Sequence, residues 1–69
     1  MDYEQVVYQE YSTERADYIF EVWYDEGRFH AMAREGEEVI YYEWFSCRSH
    51  ACEYLEAVFN ELTNEEFPW

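Results

Sequence analysis

An α+β fold is what this sequence predicts: a four-stranded antiparallel sheet, in the order β-β-β-β-α, with one C-terminal helix packed on one face. Three observations carry that expectation. Residues 17–25, DYIFEVWYD, alternate at a period of two, with Tyr18, Phe20, Val22 and Tyr24 on one side and Ile19, Glu21 and Trp23 on the other. Two Glu-Gly pairs, Glu26-Gly27 and Glu35-Gly36, separate apolar runs in the way hairpin turns do. After Ser46 the apolar period lengthens to that of a helix.

In chain order, residues 1–11 read as a first strand whose register is open. Tyr3, Val7 and Tyr11 form one set; Val6 and Tyr8, with Glu4 and Glu10, form the other, and both contain apolar residues. Residues 12–16 are polar and make the connection, with room for a single helical turn.

The second and third strands can be set in register. A two-residue turn at Glu26-Gly27 places Asp25 opposite Arg28, Tyr24 opposite Phe29, Val22 opposite Ala31 and Phe20 opposite Ala33. Apolar thus meets apolar, and opposite charges meet beside the turn. The same device at Glu35-Gly36 sets Arg34 against Glu37, Ala31 against Ile40, Phe29 against Tyr42 and Arg28 against Glu43. Each opposite-charge pair contributes about 0.2–1 kcal/mol at best. The fourth strand then spans about Glu38 to Phe45.

Ser46 reads as an N-cap and the helix as running from Cys47 to about Leu62. Cys47, Ala51, Cys52, Leu55, Val58, Phe59 and Leu62 fall on one broad arc, and His50, Glu53, Glu56, Asn60 and Glu61 on the other. Residues 63–69 form a short acidic tail, whose Phe67 and Trp69 either fold back on the core or protrude toward a partner.

One helix covers one face of a sheet. The expected covered face carries Tyr18, Phe20, Val22, Phe29, Ala31, Ala33, Ile40, Tyr42 and Trp44, because its alanines leave room. The expected open face carries Ile19, Glu21, Trp23, His30, Met32, Val39, Tyr41, Glu43 and Phe45. Such a patch exceeds the few hundred Å² a monomer ordinarily exposes, so it is expected to meet something.

The chain has 69 residues and is expected to form one small acidic domain, residues 1–69. Three tryptophans, eight tyrosines and five phenylalanines supply core material without metal or disulfide. This composition also argues against disorder, since disordered acidic segments are poor in aromatic residues. No leader and no run of about 20 apolar residues is visible, so the expected location is cytoplasmic, in the producing cell or an infected one.

Charge is the extreme feature. Seventeen carboxylates face four arginines, with no lysine, for a formal net charge of −13. That field repels nucleic acid and anionic membranes and attracts basic surfaces. Adaptation to high salt fits less well, because the acids are mostly glutamate and large aromatics are abundant.

Chemistry-bearing constellations are weak. Cys47, His50, Cys52 and His30 lack zinc spacing, and on a helix Cys47 and Cys52 point about 140° apart. Buried thiols on a core arc are the expectation, with no metal and no cofactor. Ser46, Ser49 and His50 lie close in sequence without a strained elbow or glycine-rich oxyanion loop, and both glycines sit in turns. The expectation is therefore not an enzyme.

The acids expected to contact a partner are Asp25, Glu26, Glu35, Glu37, Glu38, Glu53, Glu56 and Glu61, standing in for phosphates. Pockets built for nucleic acid would hold them by the electrostatics they use for phosphate. The chain resembles, in size and composition, the acidic DNA-mimic proteins that phages use against restriction or CRISPR systems. That resemblance implies an inhibitor of the anti-CRISPR or anti-restriction kind. Its target would be a basic nucleic-acid-binding protein, of the nuclease or CRISPR-effector class, blocked by DNA or RNA mimicry without turnover. The rival expectation is a structural or assembly module that homodimerises through the sheet face of Ile19, Glu21, Trp23, His30, Met32, Tyr41, Glu43 and Phe45.

Overall fold

In the computed structural model, which describes residues 4–68, alternation and turn chemistry produce the predicted α+β architecture. Strands β1 (Glu4–Ser12), β2 (Asp17–Asp25), β3 (Arg28–Glu35) and β4 (Glu38–Phe45) precede helix α1 (Arg48–Thr63). The sheet order is β1-β2-β3-β4, every neighbouring pair antiparallel. The expectations placed on Tyr3 and Trp69 lie outside the described residues.

The first strand, whose register is open in the sequence, pairs with β2 at the edge of the expected four-stranded sheet. A register shift at Val6 leaves Val7 opposite Val22 and Tyr11 opposite Tyr18 on the core side, with Tyr8 and Glu10 on the other. The connection to β2 is held by Thr13, whose Oγ1 accepts from the Arg15 and Ala16 amides at 3.1 Å each. This is a local side-chain turn and not a turn of helix.

The β2–β3 register is as the sequence predicts at every expected pair, from Asp25 with Arg28 to Phe20 with Ala33. Glu26 and Gly27 both take positive φ, 53° and 79°, as a type I′ hairpin requires.

The β3–β4 register is different. Gly36, at φ 60°, occupies the first central position of the turn, so Glu35 faces Glu38 rather than Arg34 facing Glu37. A bulge follows, leaving Arg34 opposite Val39 and Ala33 opposite Tyr41. Together these move the pairing beyond the bulge by three residues, and an odd shift exchanges the faces of β4 from Tyr41 onward, while Val39 keeps its expected face. Ala31 therefore pairs with Glu43 and Phe29 with Phe45, not with Ile40 and Tyr42, and Arg28 is not opposite Glu43.

In this register Phe45 lies against Tyr54 of the helix, with ring centroids 5.5 Å apart, and Tyr41 also packs on the core, where the sequence places Tyr42 and Trp44.

The helix starts one residue later than predicted, with Cys47 and not Ser46 at the cap position and no side-chain capping bond there. It stops at Asn64, whose left-handed φ of 61° lets its amide reach Asn60 O at 2.7 Å. Helix and sheet enclose a core of Phe20, Val22, Ala31, Ala33, Ala51, Leu55, Val58, Phe59 and Phe67. Phe59 is its hub, in edge-on contact with Phe20 at 4.8 Å, Phe67 at 5.1 Å and Tyr11 at 5.6 Å. The tail thus folds back: Phe67 is buried, and Glu65 accepts a 2.5 Å hydrogen bond from Tyr11 Oη.

Candidate interaction surface

With the helix on one side, the alternate residues of every strand form the opposite face. One cross-strand row holds Gln5, Trp23, His30 and Trp44. The next holds Tyr8, Glu21, Met32 and Tyr42, and a third holds Glu10, Ile19, Arg34 and Val39.

Of the expected open-face residues, Ile19, Glu21, Trp23, His30, Met32 and Val39 lie here. Tyr41, Glu43 and Phe45 do not, because the odd shift in β4 turns them to the helix side. There burial, and then the nearby Glu43 and Tyr41, hold the Tyr54 phenol above its usual pKa. Tyr42 and Trp44, assigned by sequence to the core, take their place on the open face.

Sequence reasoning missed Tyr42 and Trp44 because both alternations of β4 are apolar. One signal in the sequence bears on the register. Glycine at the first central position is the mark of a type II′ turn, and shifting the turn to Gly36-Glu37 is the first step of the correction. The bulge is the second, and no residue in β4 announces it.

Among the described residues, the large apolar side chains that stay exposed are Tyr8 (47%), Val39 (51%), Tyr42 (49%) and Trp44 (45%). All four lie on this one face. Scattered exposure of apolar residues is ordinary, but its confinement to one face is not.

The aromatic groups form an ordered strip. Trp23 and His30 stack at 5.1 Å and 11°, and His30 and Tyr42 at 5.8 Å and 25°. His30 Nδ1 shares a 2.6 Å hydrogen bond with Tyr42 Oη, which fixes both rings. Arg28 places its guanidinium carbon 4.5 Å from the centroid of the Trp44 ring. Arg34 lies in the third row with its Nε buried and without a hydrogen-bond partner.

The predicted acids are not gathered on one face. Asp25 and Glu26 stand at the β2–β3 turn, while Glu35, Glu37 and Glu38 stand at the β3–β4 turn at the other end of the sheet. Glu53, Glu56 and Glu61 are exposed on the helix, away from the sheet. Glu53 and Glu56 border a shallow groove with Asn60, Glu66 and Phe67, so the tail adds an acid to the helix row. The arrangement is an acidic envelope around the whole domain.

Other candidate groups fare as follows. Among the described residues, no cluster of three or more His, Cys, Asp and Glu side chains is arranged to hold a metal ion. Cys47 is exposed, not buried on the core arc, and Cys52 is half-buried; both are free thiols. The Ser49 hydroxyl, 3.1 Å from Cys47 Sγ, is the main cause that lowers that thiol's pKa, followed by nearby backbone amides. Among the described residues no helix is long and apolar enough to cross a membrane.

No protein-family model, curated protein or solved structure matches this chain.

Proposed function

We propose that this chain is a non-catalytic inhibitor that occupies the basic, nucleic-acid-binding surface of another protein. The observation that carries the reading is the charge. A formal −13 on a 69-residue domain, with no lysine, is spread over both ends of the sheet, the helix and the tail. An electropositive groove that evolved for phosphate attracts such an envelope from any direction of approach. The targets are nucleases or CRISPR effectors, so the chain acts as an anti-restriction or anti-CRISPR protein of the phage type, in the host cytoplasm. Nucleic acid is excluded by steric and electrostatic competition, without turnover.

The test is a competition. A basic nuclease or CRISPR effector is loaded with a labelled oligonucleotide, and the chain is added at increasing concentration in a mobility-shift assay. Release of the oligonucleotide, weakening as salt rises, is the expected result. Failure to release it from any of a panel of such proteins at low salt would refute the reading.

A second reading, a structural module that pairs with another copy through the open face, is favoured by the confinement of Tyr8, Val39, Tyr42 and Trp44 to that face. Sedimentation of the chain and of Trp44→Arg separates the two: a dimer loses mass on substitution, a monomer does not.

A further inference from the structure

We propose that the open sheet face is the contact surface for arginine side chains of the partner, with the aromatic strip of Trp23, His30, Tyr42 and Trp44 receiving their guanidinium groups. The inference rests on the reading above and adds to it which face makes the contact and which basic residue it selects.

Within the chain, Arg28 already lies over the Trp44 ring at 4.5 Å, so this indole stacks a guanidinium, and 45% of Trp44 stays exposed beside it. Planar guanidinium groups are weakly hydrated and stack on aromatic faces, whereas an ammonium is compact and strongly hydrated. The rings are also held in place. Trp23 stacks on His30 and His30 is bonded to Tyr42, so little side-chain freedom remains to be lost on binding. Carboxylates stand in the adjoining rows, Glu21 between Tyr8 and Met32 and Glu10 beside Ile19, within reach of an arginine laid along the strip.

Charge complementarity decides among occupants. Bases of a single strand stack well on such rings, but their phosphates meet a net −13. A second copy brings the same negative charge and a second set of Glu10 and Glu21 against the first. A segment rich in arginine is drawn by the net charge at long range and meets Glu10 and Glu21 at the face, where it stacks beside Arg28 and Arg34. The helix face, by contrast, offers Glu53, Glu56 and Glu66 with Asn60, and its one ring, Phe67, is buried at 5% exposure, so its contact with a basic partner is mainly one of charge.

The test uses the full chain, isotope-labelled, titrated with an oligo-arginine peptide and an oligo-lysine peptide of equal length, followed by amide and indole NMR shifts. Expected are tighter binding of the arginine peptide and shifts centred on residues 19–23, 28–34 and 42–44, including the Trp23 and Trp44 indole N–H groups. Trp44→Ala, which leaves the net charge unchanged, weakens arginine-peptide binding about threefold to tenfold, and Trp44→Tyr restores most of it. Retained amide dispersion shows that each variant is folded, and Tyr42→Ala serves as the second variant.

Equal binding of both peptides, with shifts confined to the helix around Glu53 and Glu56, overturns the docking assignment and leaves the charge-based reading standing. No binding of either peptide at low salt overturns both. Shifts on the open face that follow chain concentration without peptide assign the face to a second copy and overturn arginine docking.

Discussion

The two faces of the sheet are made by alternate residues of the same four strands, yet they are built on opposite rules. Under the helix, β3 contributes Ala31 and Ala33, both essentially inaccessible, and β2 contributes Phe20 and Val22 at 0% exposure. The small residues let the helix backbone approach, and Leu55 and Phe59 fill the remaining space. On the other side the same strands present His30, Met32, Trp23 and Glu21, and β4 adds Tyr42 and Trp44. Along β3, volume is low at Ala31 and Ala33, where the helix packs, and higher at His30 and Met32, which face outward. The first face therefore stabilises the fold, and the second is large, aromatic and free of any covering element among the described residues.

The sharpest way to break this comparison is to truncate one large ring on each face. Phe59→Ala removes the hub of the core and is expected to cost about 3–5 kcal/mol, a large part of what a small domain has. Trp44→Ala removes a half-exposed ring and its Arg28 contact, and is expected to cost less than about 1 kcal/mol. Denaturant midpoints measure both. Comparable losses would mean that the open face also holds the fold together.

A smaller effect separates neighbouring positions. Ala31→Leu pushes a branched side chain against the helix and is expected to cost about 1–3 kcal/mol. Met32→Leu, one residue along and on the other face, is expected to stay within about 0.5 kcal/mol.

The smallest effect lies at the border of the covered face, where Tyr11 holds the tail. Its bond to Glu65 is the main cause raising the Tyr11 pKa above the usual phenol value of about 10, followed by burial and the charge of Glu65. A group whose folded pKa is raised contributes stability that is full below its unfolded pKa and lost as pH rises through the folded one. The stability difference between the native chain and Tyr11→Phe should therefore be flat up to about pH 10 and shrink above it. Thermal melts across that range read it out; a difference that grows with pH would reverse the assignment.

Much of this architecture is legible in the sequence. The β2–β3 hairpin is, because a polar pair, Asp25 and Arg28, flanks the turn and only one alternation of β2 fits a core. The inward arc of the helix is legible for the same reason: Ala51, Leu55, Val58 and Phe59 repeat at helical spacing against Glu53, Glu56 and Glu61. The fourth strand is not, because VIYYEWF is apolar on both alternations, and its neighbour REGE accepts two turn positions. A charge pair of a few tenths of a kcal/mol favours one, and large rings fall on the covered face in either, Tyr42 and Trp44 in one and Tyr41 and Phe45 in the other. The part of the candidate surface given by Ile19, Glu21, Trp23, His30, Met32 and Val39 is accordingly legible, and the part supplied by Tyr42 and Trp44 is not. Arg28 over Trp44 was invisible for the same reason, since it depends on which way β4 faces.

The acids make the second comparison. Exposed aromatic groups concentrate on one face, whereas carboxylates occur at both turns, along the helix and in the tail. A dispersed charge steers and a localised strip docks, so the two should respond differently to substitution. Glu53→Lys with Glu56→Lys is expected to lower the salt sensitivity of binding to a basic partner, whereas Trp44→Ala should lower affinity and leave that sensitivity nearly unchanged.

The central claim, that charge drives this chain onto a basic surface, is met most directly by one titration: affinity for an oligo-arginine peptide against salt concentration, from about a Debye length of 30 Å down to about 8 Å. The expected result is a steep, linear fall of the logarithm of the affinity with the logarithm of the salt concentration. An affinity that stays level across that range would contradict the account.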